Sequence, residues 1–119
     1  MKIAVTAKGA SLNSEIDPRF GRAKYFVIID PDNDRITSHD NFQNLNAAQG
    51  AGIQAAQNVA ALGAQAVISG NVGPKAFRAL KAAGIKIFLG ETGTVEDAIS
   101  RFRKGELKEA DGANVEGHW

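Results

Sequence analysis

Two arginines beside an Asp-Pro pair are the first residues whose type and spacing suggest chemistry. Residues 17–22 read Asp-Pro-Arg-Phe-Gly-Arg. Guanidinium groups donate charge-assisted hydrogen bonds to carboxylates, phosphates and other anions, so Arg19 and Arg22 predict contact with an anionic ligand. The alternative is an ordinary surface loop in which Phe20 enters the core and both arginines are solvated. Spacing alone does not decide between the two.

Two glycine-containing turns form the second candidate feature. Residues 69–74 read Ser-Gly-Asn-Val-Gly-Pro, and residues 90–94 read Gly-Glu-Thr-Gly-Thr. Each turn precedes a predicted helix, whose first N–H groups attract anions, so Gly70, Asn71 and Gly73 are candidate binding residues. Neither nucleotide fingerprint, G-x-G-x-x-G or the P-loop pattern, is present. A purely structural turn capped by Asn71 is the alternative.

The sequence excludes several kinds of catalytic and metal site. It has no cysteine, which removes disulfides, thiolate ligands for zinc or iron–sulfur clusters, and cysteine nucleophiles. Asp30, Asp32 and Asp34 have the spacing that begins an EF-hand loop. However, Arg35 stands where that loop needs glycine, and Asn41 stands where it needs glutamate. These aspartates are therefore predicted to be turn residues.

Hydrolytic chemistry has no support in the sequence either. A two-metal nuclease needs carboxylates at the ends of its central strands, and the predicted first and fourth strands have none. No serine lies in a G-x-S-x-G elbow. The two imidazoles belong to His39, at the end of a predicted strand, and His118, near the end of the chain. His118 is the candidate metal ligand, with a frayed terminus as the alternative.

Length and composition predict a single small domain. The chain has 119 residues, of which 44% are hydrophobic, enough for one core. Its net charge of +1 is too small for a general nucleic-acid binder. We expect the domain to span residues 1–108 and residues 109–119, which show no hydrophobic period, to form a mobile C-terminal tail. No apolar run reaches the length of a membrane span or a signal-peptide core, so a cytoplasmic protein is expected.

Capping and turn signals mark the elements that must position these residues. Thr94 and Asp97 form a capping-box pattern and predict a helix over 95–104. A second helix is predicted over 74–83, with proline at its favoured first position, and a third over 47–62. Five short runs rich in branched and aromatic residues predict strands: Lys2–Thr6, Tyr25–Asp30, Arg35–His39, Ala66–Ser69 and Ile85–Leu89.

The order of these elements predicts an α/β fold with a mixed sheet. A turn-rich linker joins the second and third strands into an antiparallel hairpin, whereas a helix joins the fourth and fifth strands and makes them parallel. If the first strand is parallel to these two, the arginine segment meets both turns at the carboxyl ends of the strands, where ligands bind in open α/β sheets. We expect Phe20 to be buried, while the backbone freedom of Gly21 directs Arg19 and Arg22 to that edge.

One long stretch of the sequence has no ionisable side chain. The stretch from Asn41 to Pro74 contains no Asp, Glu, Lys, Arg or His, although the exposed face of a helix usually carries charges. Tight packing of the predicted helix on the sheet is the favoured explanation. A subunit interface or a ligand-facing helix is the alternative.

Five segments form an ordered series of motifs along nearly the whole chain. They are Asp17–Ala23, Asn44 with Gly50–Ile53, Val67–Phe77, Ala83–Ile87 and Gly93–Ile99. The series resembles the dinitrogenase iron-molybdenum cofactor biosynthesis family. The resemblance implies a ribonuclease H-like, three-layer α/β/α domain. It also implies a five-stranded mixed sheet in the order 3-2-1-4-5, with strand 2 antiparallel.

The resemblance implies a binding or carrier protein rather than an enzyme. Nitrogenase-linked members bind the iron-molybdenum cofactor or its precursor clusters and carry them between assembly proteins. The implied ligand is thus an iron-molybdenum cofactor or an iron–sulfur cluster precursor, and the implied partners are metallocluster assembly or target proteins. We expect neither nucleic acid nor membrane as a partner, and a monomer or weak homodimer. The residues expected to bind the ligand are Arg19, Arg22, Asn44, Gly70, Asn71 and Gly73.

One position departs from the family pattern. Members often place a histidine just before the Gly-Ala-Gly segment, and this chain has Gln49 there, a poor ligand for soft metals. Direct ligation would then rest on His118, His39 or carboxylates. An anionic cluster would be held by the two arginines and by helix N-terminal amides after Gly70 and Gly93. A sensor or enzyme for a phosphorylated or organic anion and a protein-interaction module are the alternative functions.

Overall fold

Five strands form one mixed sheet, and helices cover both of its faces. The computed structural model describes residues 1–42 and 50–115. The strands are β1 (Ile3–Ala7), β2 (Tyr25–Asp30), β3 (Arg35–Asp40), β4 (Ala66–Ile68) and β5 (Lys86–Phe88), and the helices are α1 (Ala51–Ala61), α2 (Pro74–Ala82) and α3 (Val95–Arg103). Each predicted strand and helix is present, although the helix predicted over 47–62 begins with residues 47–49, which lie outside the described residues. No helix in this part of the chain is long and apolar enough to cross a membrane.

The sheet has the predicted order β3-β2-β1-β4-β5. β1 is parallel to β4, with Val5 opposite Ile68, and β4 is parallel to β5, with Val67 opposite Ile87. β2 is antiparallel to β1, and β3 is antiparallel to β2. The three parallel strands therefore end on the same side of the sheet, which we call the carboxyl edge.

Successive side chains of the strands point to opposite faces of the sheet and form two cores, one on each face. Ala4 and Val67 enter a core with α1 and α2, which also contains Leu80. Their strand neighbours Val5 and Ile68 enter a second core with α3. β1 is buried on both faces, which is why its sequence is almost wholly apolar. The predicted three-layer α/β/α arrangement is confirmed.

Two helices start where their capping signals predict. In α3, Thr94 Oγ1 accepts a hydrogen bond from Asp97 N–H (3.1 Å), and the Asp97 carboxylate accepts one from Thr94 N–H (3.1 Å). α2 begins at Pro74, but its N-cap is Gly73, which makes no side-chain cap hydrogen bond. The interpretation of Asn71 as the cap is wrong, because Gly73 is the N-cap and the Asn71 side-chain oxygen accepts from Asn114 Nδ2 instead.

The uncharged α1 packs closely against both the sheet and α2. Ala55 and Val59 are buried, and a Cβ placed on Gly52 would lie 3.0 Å from Ala76 Cβ of α2. This close contact between the two helices explains why the inner side of α1 carries no charged side chains. The outer side includes Ile53, which is exposed, and a subunit interface or a ligand-facing role stays the alternative for that side.

Candidate functional site

The two glycine turns lie side by side at the carboxyl edge. Gly90 N–H donates to Gly70 O (2.9 Å), and Glu91 N–H donates to Ser69 O (3.3 Å). Each turn continues directly from β4 or β5, so the parallel pairing of these strands brings the turns together. The predicted meeting of the two turns is confirmed.

The first half of the long loop between β1 and β2 packs against the start of α3. The backbone bonds are Ile16 N–H to Gly93 O (2.9 Å), Val95 N–H to Ser14 O (2.9 Å) and Glu96 N–H to Leu12 O (3.0 Å). With the capping box, they occupy the first N–H groups of α3. The hydrogen bond from Thr94 N–H also holds the pKa of Asp97 below its ordinary value. The turn at Gly93 therefore does not supply the anion-binding amides that the sequence predicted.

The second half of the loop, which carries the arginines, packs over the other turn. Arg19 and Asn71 form a parallel backbone bridge, and Phe20 N–H donates to Asn71 O (3.2 Å). Asn71 Nδ2 donates to Pro18 O (3.0 Å). A Cβ on Gly70 would lie 2.9 Å from Pro18 Cα, so the close approach of this loop explains the glycine.

Phe20 is buried, as predicted, with 1% of its surface exposed. Its ring centroid lies 5.5 Å from that of Phe26. The explanation predicted for Gly21 is wrong, because its φ is not positive. A Cβ at Gly21 would instead lie 2.8 Å from Gly52 N at the start of α1. Glycine is needed here for close contact between the loop and a helix.

A buried polar network anchors the loop to β1 and β4. Asp17 is 3% exposed, and its carboxylate accepts hydrogen bonds from Arg19 N–H (3.1 Å) and Lys24 N–H (3.4 Å). Thr6 Oγ1 donates to Asp17 O (2.7 Å) and lies 2.9 Å from Ser69 Oγ. Because both hydroxyls are fully buried, they serve to fix the loop on the strands.

Asn41 closes the other end of the same loop. It is 1% exposed, and its Nδ2 donates to Gly21 O (3.1 Å) and Ala23 O (2.9 Å). Its backbone N–H donates to Lys24 O (2.9 Å). No sequence pattern indicated this role, because the contacts join the end of β3 to a loop that precedes β2.

The chain after α3 returns to the carboxyl edge. Glu109 and Phe88 form a backbone bridge, and Ala110 N–H donates to Ile87 O (2.8 Å). Asn114 then donates from Nδ2 to Gly70 O (3.0 Å). Sequence patterns did not indicate these contacts, and the mobility expected of this tail stays a prediction.

The structure brings three of the predicted binding residues into contact at the carboxyl edge. Arg19 pairs with Asn71, and Gly70 precedes Asn71 in the turn. Gly73 follows closely as the N-cap of α2. The Arg19 side chain is exposed, and Arg22 is half-buried in the same loop.

Metal ligation by a protein donor set is not supported by the described residues. Asn44, Gln49 and His118 lie outside them, so the roles predicted for these residues stay predictions. Among residues 1–42 and 50–115, no group of three or more His, Cys, Asp or Glu side chains could hold a metal ion. His39 lies on β3, with Nε2 3.1 Å from Thr37 Oγ1. The edge instead carries Arg19, whose guanidinium group suits an anion.

Several known proteins are similar to this chain in sequence and structure. The orange protein from Desulfovibrio gigas, solved in its apo form, is 45% identical, with a TM-score of 0.94 over 96% of each chain. A putative NifB protein from Thermotoga is 36% identical, with a TM-score of 0.84 over 98% of each chain. An uncharacterized protein from Methanocaldococcus jannaschii is 32% identical over 110 residues, which are 91% of this chain and 90% of that protein.

A family model supports the same relationship. The model described as dinitrogenase iron-molybdenum cofactor matches residues 1–105. The match runs from β1 through α3 and includes both arginines and both glycine turns. The resemblance found in the five motifs is confirmed. The chain belongs to the dinitrogenase iron-molybdenum cofactor family.

Proposed function

We propose that this protein binds an anionic metallocluster, of the iron-molybdenum type or an iron–sulfur precursor, and carries it without transforming it. The observation that carries the proposal is the pairing of Arg19 with Asn71, which places an exposed guanidinium-bearing residue on the glycine turn at the carboxyl edge. Ligands of open α/β sheets bind at this edge. The chain belongs to a family whose description names the iron-molybdenum cofactor, and this supports a metallocluster as the class of ligand.

Outer-sphere contacts are the proposed mode of binding. The cluster is cargo that brings its own sulfides, and Arg19 and Arg22 donate charge-assisted hydrogen bonds to them. The start of α2 contributes positive potential from N–H groups that have no side-chain cap. Asn71 keeps the arginine segment on the turn through Pro18 O. Asn44 and Gly73 complete the proposed set.

A carrier role is proposed because, among the described residues, the hydroxyls and the carboxylate that anchor the arginine segment are buried and already hydrogen-bonded. The hydroxyls of Thr6 and Ser69 are fully buried and hydrogen-bonded to each other, and the buried Asp17 carboxylate already accepts two backbone N–H groups. Arginine and asparagine side chains do not act as general bases at neutral pH. The proposed partners are the proteins that deliver the cluster and receive it.

Titration of isolated iron-molybdenum cofactor into the protein, without oxygen, tests the proposal. Arg19→Ala with Arg22→Ala should weaken binding by about 1.5 to 3 kcal/mol for each hydrogen bond lost to a charged group. Arg35→Ala with Arg103→Ala is the matched control. It removes the same charge from the opposite edge, where Arg103 makes only an exposed ion pair with Asp34, so affinity should change little.

The outcomes of the titration separate the candidate functions. Equal affinity in the wild type and the Arg19 and Arg22 double variant would reject the arginine site. No binding by the wild type would reject the cluster cargo and favour a phosphorylated or organic anion. A chain that ends at Val115 lacks His118, and wild-type affinity in that chain would reject His118 as a metal ligand.

A further inference from the structure

Asn114 joins the segment after α3 to the glycine turn through four hydrogen bonds. Its Oδ1 accepts from Val72 N–H (2.8 Å), and its N–H donates to Val72 O (3.2 Å). Its Nδ2 donates to Gly70 O (3.0 Å) and to Asn71 Oδ1 (3.2 Å). One residue thus contacts three consecutive residues of the turn, much as a neighbouring strand would.

The direction of each of these hydrogen bonds is fixed by the chemistry of its ends. Val72 N–H can only donate, so the Asn114 atom that faces it is oxygen, and Nδ2 faces Gly70 O, which can only accept. Asn71 therefore presents Oδ1 to Asn114 and keeps Nδ2 for Pro18 O, another acceptor. The order of donors and acceptors from Asn114 to Pro18 allows no other arrangement of the two amides.

We infer that Asn114 is a positioning residue of the proposed anion site. It holds the Asn71 amide in the orientation that keeps Pro18, and with it Arg19, on the turn. The identity of the ligand in this inference depends on the proposed function. Asn114 lies beyond residues 1–105, which the family model matches, and within a segment that has no periodic or motif signal.

The position of Asn114 is set by β5 rather than by side-chain charge. The bridge between Glu109 and Phe88 and the bond from Ala110 N–H fix the backbone before it crosses to the turn. The Glu109 carboxylate also lies 3.4 Å from Lys81 Nζ, but both side chains are exposed to solvent, and such pairs contribute little. Glu109→Gln is therefore a matched control in the same segment.

Amide hydrogen exchange of the ligand-free protein tests the positioning role. Asn114→Ala should speed exchange at Phe20 N–H, which donates to Asn71 O, and at Val72 N–H. Glu109→Gln should leave both rates unchanged. Asn114→Asp is the second variant, because it keeps an acceptor for Val72 but has no donor for Asn71, so it should also speed exchange at Phe20. Wild-type exchange at Phe20 in both Asn114 variants would overturn the inference.

A double-mutant cycle on affinity tests the link from Asn114 to the site. Asn114→Ala should weaken binding of isolated iron-molybdenum cofactor about tenfold. Its effect should be clearly smaller when Asn71 is already alanine, because the link through the Asn71 amide is then already lost. Equal losses in both backgrounds would overturn the inference. If the wild type binds no cofactor, the proposed function fails, while the exchange rates still decide the positioning role.

Discussion

Arg19 and Asn71 lie side by side in a parallel backbone bridge, outside the five strands of the sheet. The bridge makes the arginine-bearing loop a short extension of the sheet at its carboxyl edge. The bond from Phe20 N–H to Asn71 O belongs to the same pairing. An anion at this edge would therefore meet an arginine whose backbone is held by the pairing with Asn71 and whose neighbour Phe20 is buried in the core.

Replacing Gly70 should displace the arginine loop. The new Cβ of Gly70→Ala would lie 2.9 Å from Pro18 Cα, a backbone atom that cannot move alone. We expect a loss of about 1 to 3 kcal/mol in the free energy of unfolding, as for other overpacked sites, measured by denaturant titration. Gly112→Ala is the control, because nothing lies within 4 Å of its Cβ. Equal stability of the two variants would contradict the close approach of the loop.

Asp17→Asn should destabilise the loop through its backbone donors. The carboxylate accepts from Arg19 N–H and Lys24 N–H, and an amide has one acceptor atom and one donor group, so one N–H loses its partner. We expect a cost of about 1 to 3 kcal/mol and faster amide exchange at Arg19 or Lys24. Asp111→Asn, at an exposed position, should change stability by less than about 0.5 kcal/mol. Wild-type exchange at both amides would refute the assignment.

The hydroxyls of Thr6 and Ser69 should behave as one unit. Thr6→Val keeps the shape of the side chain but leaves Asp17 O and Ser69 Oγ without their partner, at a cost of about 1 to 3 kcal/mol. Ser69→Ala in the Thr6→Val background should cost less than it does alone, because the shared hydrogen bond is already lost. Thermal or denaturant unfolding of the four proteins gives the coupling. Additive losses would show that the two hydroxyls act independently.

The capping box of α3 should make part of the stability depend on acidic pH. Hydrogen bonds donated to its carboxylate by the Thr94 N–H and the Thr94 hydroxyl hold the pKa of Asp97 below its ordinary value. A lowered pKa means that the folded state favours the ionised form, so the stabilisation is complete well above the ordinary pKa of an aspartate and is lost as pH falls through the folded pKa.

The stability difference between wild type and Asp97→Asn should therefore shrink as the pH falls from about 5 to strongly acidic values. Unfolding curves across this range measure it. Thr94→Ser keeps the hydroxyl and the N–H of the cap and should retain the wild-type pH dependence. A difference that stays constant over the whole range would exclude Asp97 as the source.

Local signals predicted the elements well, because their physical causes lie within a few residues. The Thr94 and Asp97 pair caps α3 as its spacing indicates, and Pro74 opens α2. The strand order also followed from element order and family resemblance. These features need little information about distant parts of the chain.

The details of the edge could not be predicted in the same way, because they depend on contacts between distant residues. Thr6 and Ser69 are separated by 63 positions. Position 21 needs glycine because the backbone of Gly52 lies too close for a side chain. Asn114 shows no motif, and its role becomes visible only when its partners in the glycine turn are in place. The two arginines were found from their charge, and their ligand remains a proposal.

The carboxyl edge combines residues that are synthesised far apart in time. Thr6 and Arg19 leave the ribosome early, whereas Ser69, Asn71 and finally Asn114 follow much later. Parallel pairing of β1 with β4 must wait for this long chain segment to close. A nascent chain that already contains both arginines therefore lacks the residues that complete the carboxyl edge. Cargo of the proposed kind would be loaded only after the segment that carries Asn114 has been synthesised.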